Sequence, residues 1–149
     1  MCEEEFPPRS QPPIHRRLRF SLGSSGWGKP KTEVDMYTLI VRAKFEAAHN
    51  LPGYEGKCAR LHGHSYRVEA EFSGHHLDSQ GMLCDFTDLK SVLNEFLPDH
   101  TYLNEIMPYP TTAENVSRWI FEQLKARGLP VTSVTLWETE NNACRYTPD

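Results

Sequence analysis

Two segments alternate apolar and polar side chains residue by residue, and each carries histidines on its apolar side. In Tyr37 to His49 the odd positions Tyr37, Leu39, Val41, Ala43, Phe45 and Ala47 are apolar and His49 continues the series, while Arg42, Lys44 and Glu46 take even positions. In His62 to Phe72 the apolar set is Tyr66, Val68, Ala70 and Phe72, and His62 and His64 share its parity. A period of two marks a strand with one covered face. Three imidazoles are thereby placed on covered faces, where a charged or unsatisfied ring is costly. Metal ligation removes that cost, and three neutral imidazoles with one open position are a common donor set for catalytic zinc. A single such histidine reads as a satisfied core or strand-end residue; the pattern of three predicts a metal site. His15, His75 and His76 lie in polar stretches and take no role.

The loop between the strands, Asn50 to Leu61, holds Pro52, Gly53 and Gly56 and carries Cys58. Beside a metal this thiol is either a base or nucleophile, or a fourth ligand that closes the site. Asp99 and His100 follow a helical stretch, and a carboxylate that orients an imidazole serves proton transfer; the same pair also fits a solvated turn. Glu138 shares the parity of Val134 and Leu136, which turns a carboxylate toward the apolar side. A bidentate acceptor there suits the paired N–H donors of a guanidine-like or aminopyrimidine edge, with a salt bridge or a surface strand end as the alternative.

At 149 residues the chain fits one domain with a real core. A net charge of -4 and a pI near 6.0 argue against a general nucleic-acid surface, and no apolar run is long enough to span a membrane. Mean hydropathy of -0.58 fits a soluble protein. The four cysteines form no C-x-x-C pair and no signal-peptide core precedes them, which predicts a reducing cytoplasmic setting with free thiols. Residues 1–35 hold Pro7, Pro8, Pro12, Pro13 and Pro30, an acidic start, Arg16, Arg17 and Arg19, and a Ser/Gly-rich run. That composition predicts a disordered tail ahead of a domain over 36–149; a natural product starting at Met36 is a further reading. Helices are expected from about Thr87 to Phe96, closed by Pro98, and after a capping box Thr111-x-x-Glu114, stopped by Gly128. The second helix carries Val116, Trp119, Ile120 and Leu124 as its apolar stripe. A third strand and a short edge strand at Ala143 to Tyr146 complete an α+β fold, two helices covering one face of a four-stranded antiparallel sheet.

Further residues join these in a recognisable set. Phe45-x-Ala-Ala-His49 stands with Cys58-x-x-Leu61-His62-Gly63-His64-Ser65-Tyr66, Gly81-Met-x-x-Asp85-Phe86-x-x-Leu89-Lys90, Asp99-His100-x-x-Leu103-Asn104, Thr112-Ala113-Glu114-Asn115 and Trp137-Glu138-Thr139. Together they resemble the 6-pyruvoyl-tetrahydropterin synthase superfamily, and within it most of all the 6-carboxy-tetrahydropterin synthases of queuosine biosynthesis. The resemblance covers about residues 36 to 147.

The resemblance implies a tunnelling fold (T-fold) whose trimers close a barrel and stack as a homohexamer. It implies zinc on His49, His62 and His64, acid and base groups from Cys58, Asp99 and His100 of neighbouring subunits, and a pterin held by Thr112 and Glu138. The implied reaction is that of a zinc-dependent lyase, converting dihydroneopterin triphosphate to 6-carboxy-tetrahydropterin with release of acetaldehyde and triphosphate. Pyruvoyl synthases of the same superfamily eliminate triphosphate without C–C cleavage and resemble this chain less, because only Ala59, Arg60 and Leu61 separate Cys58 from His62. A non-catalytic pterin-binding or structural-zinc module is the alternative from another class. The chain departs from the family pattern with Pro98 directly before Asp99, and with one extra residue before Glu114 that leaves the pterin contact open between Thr111 and Thr112.

Overall fold

The computed structural model describes residues 35–149, so the tail expected over 1–35 falls almost wholly outside the described residues. Its centre is a long antiparallel pair, β1 (Tyr37–His49) and β2 (His62–Gly74), in register from Tyr37 opposite Gly74 to His49 opposite His62. The period-two expectation holds. Val41, Ala43, Phe45, Ala47 and His49 are buried on β1 while Arg42, Lys44 and Glu46 between them are exposed, and Tyr66, Val68, Ala70 and Phe72 are buried on β2. The opposite face is charged, with Arg42 paired to Glu69 at 2.7 Å and Arg145 to Glu71 at 2.9 Å.

The helical elements are α1 (Phe86–Phe96), a single turn α2 (Leu103–Ile106) and α3 (Ala113–Ala126). α1 lies against β1, and α3 lies against β4 (Val131–Trp137) and β5 (Ala143–Tyr146). Local chemistry sets their ends. The Asp85 carboxylate accepts from the Thr87 N–H at 2.6 Å to open α1, and Pro98, which has no N–H to donate, follows its last turn. Gly128, at φ 76°, closes α3 by donating its N–H to the Lys125 carbonyl. Leu89 and Leu93 of α1 meet Val116, Ile120 and Leu124 of α3 in one core over the sheet.

Three expectations are corrected. The sheet has five strands in the order β3-β1-β2-β4-β5 and is mixed, because β3 (Thr101–Tyr102) runs parallel to β1 opposite Ala47 and Ala48. Two residues are too few to leave a periodic signal; what places them is the preceding pair, since the His100 N–H donates to the Glu46 carbonyl at 2.6 Å and Asp99 Oδ1 accepts from the Glu46 N–H at 2.8 Å. The N-cap of α3 is Thr112, whose hydroxyl accepts from the Asn115 N–H at 3.4 Å; Thr111 is drawn inward and fully buried instead. The stripe of α3 is also rotated, with Phe121 buried and Trp119 only partly covered, its ring 6.0 Å from that of Phe96.

Leu93 is fully buried where α1 meets the sheet. Leu93→Ala is expected to lower unfolding stability by about 2–5 kcal/mol, read as a shift of the urea midpoint at unchanged slope.

Candidate metal centre

The β1–β2 register brings His49 and His62 face to face, and His64 follows one pleat along the same side. Ring centroids are 4.5 Å apart for His49 and His62, 5.1 Å for His49 and His64, and 5.0 Å for His62 and His64. One nitrogen from each ring lies within 4.8 Å of the others. Backbone carbonyls orient two of the rings from behind. His49 Nδ1 lies 2.8 Å from the Thr111 carbonyl, and His62 Nδ1 lies 2.7 Å from the Arg60 carbonyl. A ring that donates Nδ1–H to a carbonyl presents its Nε2 lone pair forward, which is how ligating histidines are usually held.

The donor set fits a metal on this observation: His49 Nε2 and His62 Nε2 are buried and have no hydrogen-bond partner among the described residues. Burial lowers the His49 pKa below its ordinary 6.5, and the neighbouring His62 charge lowers it further. His64 is lowered by burial and then by the His49 and His62 charges. The Thr111 carbonyl acts the other way on His49, but burial prevails, and the net effect favours the neutral rings a metal requires. Cys58 is not among the grouped donors, so three imidazoles form the cluster without it.

The other expected residues surround this cluster unequally. Glu138 stands one residue beyond β4, its N–H donating to the Asn142 carbonyl at 3.2 Å. Its carboxyl is raised above the usual carboxylate range by burial and then by the Glu114 charge, with the His62 charge acting the other way. Thr112 caps α3 directly after Thr111, the residue that supports His49. Cys58 is half-buried in a 3-10 turn, Lys57–Ala59.

Asp99 and His100 sit on the exposed edge of β1 rather than among the three rings. Asp99 Oδ2 lies 2.9 Å from His100 Nδ1, and the His100 side chain is 79% exposed. The Asp99 pKa is lowered first by the Glu46 N–H and then by the His100 side chain. His100 has a left-handed φ of 55°, unusual for a residue with a Cβ and a mark of local constraint. An open groove lined by Glu46, Gly63, His64, Ser65, His100 and Tyr102 joins this pair to the cluster through His64.

Tyr66 had no site role in the sequence pattern, and Thr111 was expected only as a helix cap or pterin contact. Tyr66 is fully buried, its ring 5.3 Å from His64 and 4.8 Å from Phe45, and its hydroxyl has no partner among the described residues. Thr111 supports His49 through its carbonyl, and its hydroxyl lies 3.3 Å from the same ring nitrogen. The parity of Tyr66 with His64 was the available signal for the first; a backbone carbonyl leaves none for the second.

Because folding depresses the pKa of His49 and His64, the folded metal-free chain binds fewer protons at these rings than the unfolded chain does below pH 6.5. The stability tied to the neutral rings is full above that pH and is lost as pH falls through it toward the folded values. Melting of the metal-free protein is therefore expected to move to lower temperature between about pH 7.5 and pH 5.5, and His49→Gln is expected to flatten that dependence.

The family described as 6-pyruvoyl tetrahydropterin synthase matches residues 38–149, which takes in every described strand and helix except the first residue of β1. A 6-carboxy-5,6,7,8-tetrahydropterin synthase of Synechocystis is 39% identical over 120 residues, covering 74% of this chain and 93% of that protein. One from Haemophilus influenzae is 34% identical over 139 residues, covering 74% of this chain and 99% of the relative. The solved 6-pyruvoyl tetrahydropterin synthase of Caenorhabditis elegans superposes with a TM-score of 0.69 at 27% identity, covering 78% of this chain and 98% of its own. With the three-histidine cluster lying inside the matched region, the chain belongs to the 6-pyruvoyl tetrahydropterin synthase family.

Proposed function

We propose that this protein is a zinc-dependent lyase that converts dihydroneopterin triphosphate to 6-carboxy-tetrahydropterin, releasing acetaldehyde and triphosphate, as a step toward queuosine. The observation that carries the reading is the cluster of three imidazoles with two buried Nε2 atoms that have no partner among the described residues, a donor set that suits a metal with one position left for substrate. The carboxy product is favoured over the pyruvoyl product by the two bacterial relatives bearing the carboxy-synthase name, and by the short Cys58 to His62 spacing.

His49, His62 and His64 would hold the ion; carbonyl partners aim the His49 and His62 rings, and burial favours the neutral form of His49 and His64. Bound zinc supplies Lewis acidity that lowers the pKa of the substrate's side-chain hydroxyls and stabilises charge on their oxygens. Glu138 accepts from the paired N–H groups of the pterin, and Thr112 or Thr111 borders the same ring. Cys58 as thiolate moves a proton at the side-chain carbon next to the ring. His100 passes protons through Nε2, because Nδ1 is engaged by Asp99. The catalytic groups come together between subunits of a homohexamer.

Incubating the purified protein with zinc and dihydroneopterin triphosphate, followed by mass analysis, is expected to yield acetaldehyde and the carboxy pterin. A pyruvoyl pterin would instead place the chain with the enzymes that only eliminate triphosphate, and unchanged bound pterin would make it a binding module. His62→Ala and His64→Ala should each lose stoichiometric zinc together with turnover. Cys58→Ala should retain zinc and still bind pterin while kcat falls by about a hundredfold or more; loss of zinc from that variant would show that Cys58 closes the metal shell.

A further inference from the structure

The motif Asp99-His100-x-x-Leu103-Asn104 ends in a residue that the proposed chemistry leaves without a role. Asn104, on α2, pairs with the backbone of Asn50, the residue after His49. The Asn50 N–H donates to Asn104 Oδ1 at 3.1 Å, and Asn104 Nδ2 donates to the Asn50 carbonyl at 2.9 Å. A primary amide accepts through one atom and donates through its neighbour, as a backbone peptide does, so the side chain takes over the edge of β1 where β3 has ended.

Two further connections leave this pairing in different directions. Toward the metal cluster, the Thr111 hydroxyl lies 3.2 Å from Asn104 Oδ1, and the Thr111 carbonyl lies 2.8 Å from His49 Nδ1. Toward the thiol, Asn50 Nδ2 donates to the Ala59 carbonyl at 3.4 Å, and Asn50 Oδ1 accepts from the Tyr102 hydroxyl. Ala59 follows Cys58, whose own carbonyl accepts from the Leu51 N–H at 2.8 Å. The first loop residues after β1 therefore fasten the turn that carries Cys58.

We infer that Asn104 is a positioning residue that couples the ligand His49 to the Cys58 turn, so that one amide sets both the aim of the metal site and the placement of the thiol. Asn104 touches neither the ring nor the thiol; it acts through Thr111 on one side and Asn50 on the other. The inference rests on the metal-centre reading for its first arm, while the second arm concerns the thiol alone. Half-buried polar networks of this kind hold geometry only when every member is satisfied, and replacing one donor by an acceptor disturbs all of them.

The test uses the full chain. Asn104→Asp keeps the shape of the side chain and turns an acceptor toward the Asn50 carbonyl. Zinc affinity is read by competition with a chromophoric chelator, and alkylation of Cys58 by iodoacetamide is read by peptide mass, well below the melting temperature. Zinc affinity is expected to fall about tenfold. Cys58 is expected to alkylate about threefold faster or more, with Cys84 unchanged as the internal reference. A purely structural role would lower the melting temperature and leave both readouts as in the unmutated chain, the result also expected for the exposed Asn94→Asp. Tyr102→Phe removes only the hydroxyl held by Asn50, and should speed Cys58 alkylation while zinc affinity stays within about twofold. Wild-type zinc affinity or a wild-type Cys58 rate in Asn104→Asp overturns the proposal; should that variant not fold, an unchanged Cys58 rate in Tyr102→Phe overturns it. If the unmutated chain binds no zinc, the metal-centre reading itself fails, and that result is read without any variant.

Discussion

The register of β1 against β2 is the constraint on which the remaining structure depends. His49 opposite His62 is the last step of a ladder that begins with Tyr37 opposite Gly74, and every buried apolar side chain of the two strands is on the same side as the imidazoles. A slip of one residue would move the rings to the charged face beside Arg42 and Glu69 and would expose Phe45 and Tyr66. Core burial and site assembly are thus one specification, and the stacking of Phe45 on Tyr66 just inside the histidines fixes both.

The cluster sits where that ladder runs out of helical cover. At its inner end Tyr66 closes the floor with a hydroxyl that has no partner among the described residues, and at its back the distant Thr111 carbonyl restrains His49 while the nearby Arg60 carbonyl restrains His62. A pocket with buried, unsatisfied nitrogens is unfavourable for folding alone, since each such group loses water without a replacement. Sites of this kind are retained where binding supplies the missing partner, and packing elsewhere, such as Leu93 and Ile120 over the sheet, offsets the deficit.

The edge of β1 shows a second local conflict with a clear origin. Asp99 and His100 clasp Glu46 through backbone and side chain, which forces His100 into left-handed backbone. The constraint leaves the imidazole exposed, with Nδ1 engaged by Asp99 and the residue lining the groove beside His64. A loosely held histidine would sample many orientations; this one is ordered by its neighbour and by the strand it caps.

Alternation over thirteen residues, and again over the next strand, was enough to place His49, His62 and His64 on one side, because strand parity is a local rule that holds wherever one face is covered. Helix positions followed for the same reason, with Leu89, Leu93, Val116, Ile120 and Leu124 all inside. The two-residue β3 and its parallel pairing, which make the sheet mixed, could not be read this way, since they depend on a clasp between the Glu46 N–H and the Asp99 carboxylate, 53 positions apart. The exchange of roles between Thr111 and Thr112 has the same cause: capping chemistry suits either residue, and the choice is made by His49, 62 positions away, which draws the Thr111 carbonyl to its ring. Local periodicity determined which side chains share a face; which of them meet, and which carbonyls and amides hold them, was decided only when the chain closed on itself, because hydrogen bonds between distant segments have no period in the sequence.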